Sequence, residues 1–167
     1  MAAQTGRTVA RFVKVQIKDP ATLRDIPVNA INGVGLDYDE IEIVAWQDAI
    51  KGVLTGQPNE SLELTGPWDT SAAQAASGST QAAALSGSHT VLQPLNGALT
   101  PVTVAIYMGV RHNWETGEPV FGLSNSVATN GYIVVAYDVD WSNSTYKAKL
   151  RLASGSAAPA WGTAALT

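Results

Sequence analysis

Residues 132–152 read Tyr132-Ile133-Val134-Val135-Ala136-Tyr137-Asp138-Val139-Asp140-Trp141-Ser142-Asn143-Ser144-Thr145-Tyr146-Lys147-Ala148-Lys149-Leu150-Arg151-Leu152. The second arm alternates. Tyr146, Ala148, Leu150 and Leu152 fall on one side of an extended chain, and Lys147, Lys149 and Arg151 on the other. Period-two alternation marks a strand with one face on a core and the other in water. The first arm, Tyr132 to Val139, is nearly continuous apolar, which predicts a strand covered on both faces. Asp140-Trp141-Ser142-Asn143 is turn chemistry, so the two arms predict a β-hairpin.

The same pattern recurs through the chain. Val13, Val15 and Ile17 oppose Lys14, Gln16 and Lys18, and Asp19-Pro20 stops that strand because proline cannot donate to a ladder. Ile26 to Ile31 is a second short candidate, followed by a turn at Asn32-Gly33-Val34-Gly35. Glu40 to Trp46 alternates, with Ile41 and Ile43 opposite Glu40 and Glu42. Gln47 to Leu54 fits a helical turn or a loop, and Thr55-Gly56-Gln57-Pro58-Asn59 is turn chemistry. Ser61 to Thr65 places Leu62 and Leu64 inward and ends at Gly66-Pro67. Val102, Val104, Ile106, Met108 and Val110 make a further alternation, and Gly117-Glu118-Pro119 a turn.

Residues 70–90 are uncharged and rich in Ala, Ser, Thr, Gly and Gln. Ser71 to Ala76 has helix propensity with a cap at Thr70 or Ser71, and Gln81 to Leu85 extends it; a low-complexity loop is the competing reading. The total of about seven strands and one short helix predicts a mainly β fold: a β-sandwich or partial barrel with one flanking helix. Residues 1–154 form one domain. Residues 155–167 form a tail that is flexible or docked on a partner through Trp161, because buried Trp is a common interface anchor.

The 167 residues are 46% hydrophobic and only 14% charged, with a net charge of -4. Low surface charge suits a protein partly covered by neighbouring subunits. The basic excess of a nucleic-acid binder is absent. With no cysteine, disulfide and thiolate chemistry are excluded. No signal peptide and no apolar run long enough to cross a membrane is expected.

The search for catalytic chemistry leads to an expectation of no enzyme activity, no cofactor and no metal. His89 and His112 lack the surroundings of a nucleophilic triad and read as surface or strand-end residues. Asp37-Tyr38-Asp39-Glu40-Ile41 starts like a calcium loop but has no glycine at the sixth position. Gly33-Val34-Gly35 lacks the remainder of a phosphate-binding motif. The acidic strand instead points to charge pairing of Glu40 and Glu42 with Lys147, Lys149 or Arg151, on an adjacent strand or subunit. Trp46, Trp68, Trp114, Trp141 and Trp161 stand at strand ends, turns or the tail. Subunit contact is the reading for Trp46 and Trp161. Carbohydrate stacking by turn tryptophans such as Trp114 is the alternative.

One long segment carries a resemblance. Val28-Asn29-Ala30-Ile31-Asn32-Gly33-Val34-Gly35 leads to Asp39-Glu40-Ile41-Glu42-Ile43-Val44-Ala45-Trp46. Asp48-Ala49-Ile50-Lys51-Gly52-Val53-Leu54-Thr55-Gly56 follows, then Glu60-Ser61-Leu62-Glu63-Leu64-Thr65-Gly66-Pro67-Trp68-Asp69. This resembles the tail tube (major tail) proteins of long-tailed bacteriophages, and the order of elements agrees to about residue 154.

The resemblance implies a structural virion protein. Six copies would form a ring-shaped β-barrel, the rings stacking into a tube through which DNA passes without specific binding. Assembly would take place in the bacterial cytoplasm, with other tail proteins as partners and no membrane. Asp39, Glu40 and Glu42 would serve charge pairing or line the lumen. Trp46, Asp48, Lys51 and Leu54 would lie in inter-ring contacts made by the loop from Gln47 to Asn59. Lys147, Lys149 and Arg151 would be the basic counterparts. A capsid decoration or tail-completion protein is the alternative virion role.

Overall fold

The computed structural model describes residues 13–19, 22–43, 52–72, 84–109, 114–123 and 130–166. Its strands, in chain order, are β1 (Val13–Asp19), β2 (Thr22–Ile26), β3 (Ala30–Asn32), β4 (Asp37–Ile43), β5 (Gly52–Asn59), β6 (Ser61–Pro67), β7 (Ala84–Leu85), β8 (Val104–Met108), β9 (Val120–Leu123), β10 (Tyr132–Asp140), β11 (Thr145–Leu152) and β12 (Ala160–Gly162). One helix, α1 (Ser88–Leu95), lies between β7 and β8.

The strands form a β-sandwich and a separate ribbon. One sheet runs β12-β9-β8-β1-β2-β7, the other β10-β11-β6-β3, and β4 pairs only with β5. All pairings are antiparallel except the short β2–β7 contact. Neither sheet closes into a barrel among the described residues. The core follows the predicted parity. Val15 and Ile17 of β1, Val104 and Ile106 of β8, Leu62 and Leu64 of β6, and Tyr146, Ala148 and Leu150 of β11 are buried between the sheets. Helix α1 adds Val91 and Leu92 and contacts β2, β10 and β11.

The predicted hairpin is β10–β11, in register from Tyr132↔Leu152 to Asp140↔Thr145 with an irregularity between Val134 and Ala136. Its first arm departs from expectation: β10 is not covered on both faces. Val135 is 44% exposed and Asp138 exposed, because this strand lies at the sheet edge and nothing among the described residues packs over its outer face.

Four further expectations are corrected. The single strand over 26–31 is two strands. Pro27 interrupts the ladder, and the chain crosses there from one sheet to the other, pinned by the Tyr146 hydroxyl donating to Pro27 O at 2.9 Å. The turn read at Thr55 to Asn59 is part of β5, since pairing with β4 overrides local turn composition and Pro58 is tolerated in a two-stranded ribbon. The described helix is Ser88–Leu95, which was not expected; at the ends of the alanine-rich run Ser71 and Ala72 are non-helical and Ala84–Leu85 is a strand, while 73–83 lie outside the described residues. Ser88 ties the start of the helix to the end of β6: its Oγ donates to Pro67 O at 2.8 Å and accepts from the Asp69 N–H at 3.1 Å. Finally, β7, β9 and β12 add strands that alternation did not show.

The C-terminal segment docks on its own chain. Ala160–Gly162 pairs with Val120–Gly122, and the Trp161 ring lies 5.1 Å from that of Phe121. Ala165 and Leu166 cover a second small apolar cluster of Ala105, Tyr107, Trp114 and Val120 on the outer face of the six-stranded sheet.

Candidate assembly surfaces

Three surfaces lack a partner among the described residues. The first is the outer face of the four-stranded sheet. Alternation on β11 points Lys147, Lys149 and Arg151 outward, where the register sets them between β10 and β6: Lys147 opposite Asp138 and Thr65, Lys149 opposite Ala136 and Glu63, Arg151 opposite Ile133 and Ser61. Glu63 lies 3.5 Å from the Lys147 ammonium and 3.9 Å from that of Lys149. Exposed pairs of this kind contribute about 0–1 kcal/mol. Lys147 and Lys149 of the basic row are thus paired inside the chain with Glu63, while the side chains of Glu40 and Glu42 lie outside the described residues. The neighbours of β11 are β10 and β6, so the adjacent-strand form of the expected pairing is not what the fold contains.

The second surface is the β4–β5 ribbon. Its strands pack chiefly against each other, not against the sandwich. An isolated two-stranded ribbon is marginal in water. Glu40 pairs with Thr55, Ile41 with Leu54 and Glu42 with Val53, while Asp39 falls at the register irregularity between Tyr38 and Glu40. The predicted Asp39, Glu40, Glu42 and Leu54 are therefore brought together on one ribbon. Trp46, Asp48 and Lys51 lie outside the described residues.

The third surface is the pair of edges of the four-stranded sheet, β10 and β3. The start of β10 is capped by the bridge from Tyr132 to Val102 and by the Gly97 N–H donating to Val134 O at 3.1 Å. Beyond it the strand runs to Asp140 as a sheet edge, and open edges favour strand addition. The hairpin tip is stiffened by the Asp140 carboxylate. It accepts from the Ser142 hydroxyl at 2.6 Å, the Ser142 N–H at 3.0 Å and the Asn143 amide at 2.8 Å, which together hold its carboxyl below the usual range. That tip presents Trp141, 69% exposed and edge-on to Trp68 at 4.9 Å.

The aromatics divide differently from expectation. Trp114 is 2% exposed, and its indole N–H donates to Glu118 O and Pro119 O at 2.9 and 3.0 Å. A core tryptophan cannot serve as a stacking platform, which removes the residue on which a carbohydrate-binding reading leaned. His89 is helical and packs between Trp68 and Tyr137, its Nδ1 3.1 Å from the Tyr137 hydroxyl. His112 lies outside the described residues. Among the described residues no cluster of three or more His, Asp or Glu could hold a metal ion.

One buried acid went unnoticed in the sequence. Glu60 is 5% exposed and accepts from the Tyr132 hydroxyl at 2.7 Å. Its other oxygen is buried without a hydrogen-bond partner. Burial pushes its carboxyl up to about 7 against the opposing effect of the Tyr132 hydrogen bond. The available signal was parity, since Glu60, Leu62 and Leu64 share the inward face of an alternating strand.

No protein-family model and no curated protein matches the chain. Solved structures match its fold over nearly its whole length. A chain of the cryo-EM structure of the anti-feeding prophage cap (AFP tube terminating cap) has a TM-score of 0.60 at 11% identity, covering 98% of this chain and 95% of its own. A chain of the anti-feeding prophage baseplate gives 0.59 at 14%, covering 95% and 97%. A chain of the sheath/tube terminator of the extracellular contractile injection system PVC, in its extended state, gives 0.54 at 12%, covering 96% and 99%. The shared property is the fold: a β-sandwich with a short helix.

Proposed function

We propose that the protein is a structural subunit of a phage-tail-like tube, assembling as six-membered rings that stack around a lumen, and that it has no catalytic activity. The observation that carries this reading is the end-to-end fold likeness to chains from tube, cap and baseplate assemblies. The unpartnered surfaces support it. Edge-to-edge joining of the four-stranded sheets, β10 of one copy to β3 of the next, would satisfy both open edges, and such a heterologous contact closes when its rotation fits the ring. The ribbon then reaches a neighbouring ring, setting the acids Asp39, Glu40 and Glu42 of β4 against Lys147, Lys149 and Arg151 of another copy or toward the lumen. A mildly acidic lumen passes DNA without adhesion. The particle is assembled in the bacterial cytoplasm with other tail proteins.

Negative-stain microscopy of the concentrated protein tests the proposal. Hollow tubes or stacked rings of uniform diameter are expected. A protein that stays monomeric at every concentration examined overturns it. A terminator or cap role is the second reading, favoured by the cap and terminator assemblies among the fold matches. Its signature is single rings that do not stack on themselves but bind the end of a tube.

A further inference from the structure

We propose that Glu60 and Tyr132 form a proton-dependent clamp that sets how firmly the β4–β5 ribbon is held to the sandwich. β5 ends at Asn59 and β6 begins at Ser61, so Glu60 is the one residue between ribbon and sandwich. There is no loop to absorb motion at this joint. The other strand of the ribbon enters beside it: Asp37 pairs with Asn59, and Gly33, at φ +80°, lies so close to Ser61 O that a Cβ would fall within 2.0 Å of it. Only glycine fits there, which makes both strands of the ribbon leave the sandwich through one tight passage.

Within that passage the Glu60 carboxyl points inward. Tyr132, 1% exposed, supplies one hydrogen bond from the start of β10, and the second carboxyl oxygen is buried without one. No cation compensates it among the described residues; burial and the Tyr132 hydroxyl are the influences on its acidity. The charged groups on the surrounding elements face elsewhere. Arg151 and Glu63 have outer-face parity on their sheet, and Asp37 is exposed at the mouth of the ribbon. Asp138 and Asp140 lie toward the far end of β10. On the opposite sheet Lys14, Lys18 and Asp25 share the outer parity; Arg24 shares the inward parity of Ile26 but is not among the influences on the Glu60 carboxyl.

Neutral, the carboxyl is suited to this site. Ionised, it is a buried charge with a single donor, and burying an incompletely solvated charge is costly. The cheapest relief is for Glu60 to turn outward to water. That breaks the bond to Tyr132 of β10 and releases the joint between ribbon and sandwich from this anchor. Below neutrality the ribbon is held, and above it the ribbon is loosened. The clamp belongs to the single chain and stands apart from any tube.

Hydrogen exchange of the full chain at assembly-free concentration, corrected for intrinsic rates, tests it. Between about pH 6 and about pH 8, protection of residues 52–59 relative to β11 is expected to fall roughly tenfold, and in Glu60→Gln to stay level. A level wild type, or a Glu60→Gln variant that falls like wild type, overturns the proposal. Tyr132→Phe gives a second arm, because it removes the hydrogen bond that lowers the carboxyl's affinity for a proton. Its transition is expected at higher pH, and an unshifted one counts against the clamp. So does a Glu60 carboxyl NMR titration with an ordinary midpoint near 4.5.

Discussion

The Tyr107 hydroxyl engages both backbone groups of Leu166: it accepts from the N–H at 3.0 Å and donates to the carbonyl at 3.4 Å. A side chain in the middle of β8 thereby ties down a segment nearly sixty residues later in the chain. Together with Trp161 on Phe121 and the three-residue pairing of β12 with β9, it turns an Ala/Gly/Ser-rich tail into part of the sandwich. Tyr107→Phe keeps the ring against Trp114 and removes only the hydroxyl. It should cost about 1–2 kcal/mol in denaturant unfolding and make residues 160–166 the first site of proteolytic cleavage. A tail as resistant as wild type would mean that Trp161 and β12 alone hold it.

Glu60 gives stability an unusual pH dependence. The folded chain keeps its proton up to about 7, whereas an unfolded chain releases it near 4.5. Between those values the unfolded state binds fewer protons, so stability must fall as pH rises. The loss is complete above about 7 and absent below about 4.5. A displacement from 4.5 to about 7 corresponds to about 3 kcal/mol. Most carboxylates contribute in the opposite sense. The check is the difference in unfolding free energy between wild type and Glu60→Gln across this window, which should shrink and then reverse in favour of the variant as pH rises. A difference independent of pH would show that Glu60 titrates normally.

The tryptophans separate core from surface. Trp114→Ala removes a fully buried ring stacked edge-on with Tyr107 at 4.7 Å, and should cost about 3–5 kcal/mol. Trp141→Ala truncates a ring that is 69% exposed, and should change the stability of the single chain by less than about 1 kcal/mol. Thermal unfolding of the two variants side by side distinguishes them, and equal losses would contradict this placement.

Sequence alternation showed the strands that have one wet face and one buried face. β1, β6 and β11 are of this kind, and their inward residues are those that build the core. It failed where both faces are covered or where tertiary contact overrides composition. β9 is four buried residues, Val120, Phe121, Gly122 and Leu123, too short and too uniform to show a period. α1 contains Thr90, Val91 and Pro94, poor helix formers, and is held by burial of Val91 and Leu92 and by the Ser88 contacts to Pro67 and Asp69. The basic row on β11 was visible as period-two charge. Its partner Glu63 was not, because β6 and β11 are far apart in the chain and adjacent only through the sheet order.

The ribbon offers the sharpest separation of fold from assembly. Tyr38 and Pro58 face each other across its base, so residues 39–57 can be replaced by a short Gly/Ser connection between positions already close in space. The two strands of the ribbon pair with each other and with neither sheet. The shortened chain should therefore unfold within a few degrees of wild type. If the ribbon makes the contacts between rings, the same variant should form at most single rings under the microscope where wild type forms tubes. Retained tubes would move inter-ring contact to another surface. A large drop in melting temperature would instead show that the ribbon is needed for the sandwich itself, contrary to the way its two strands pack chiefly on each other.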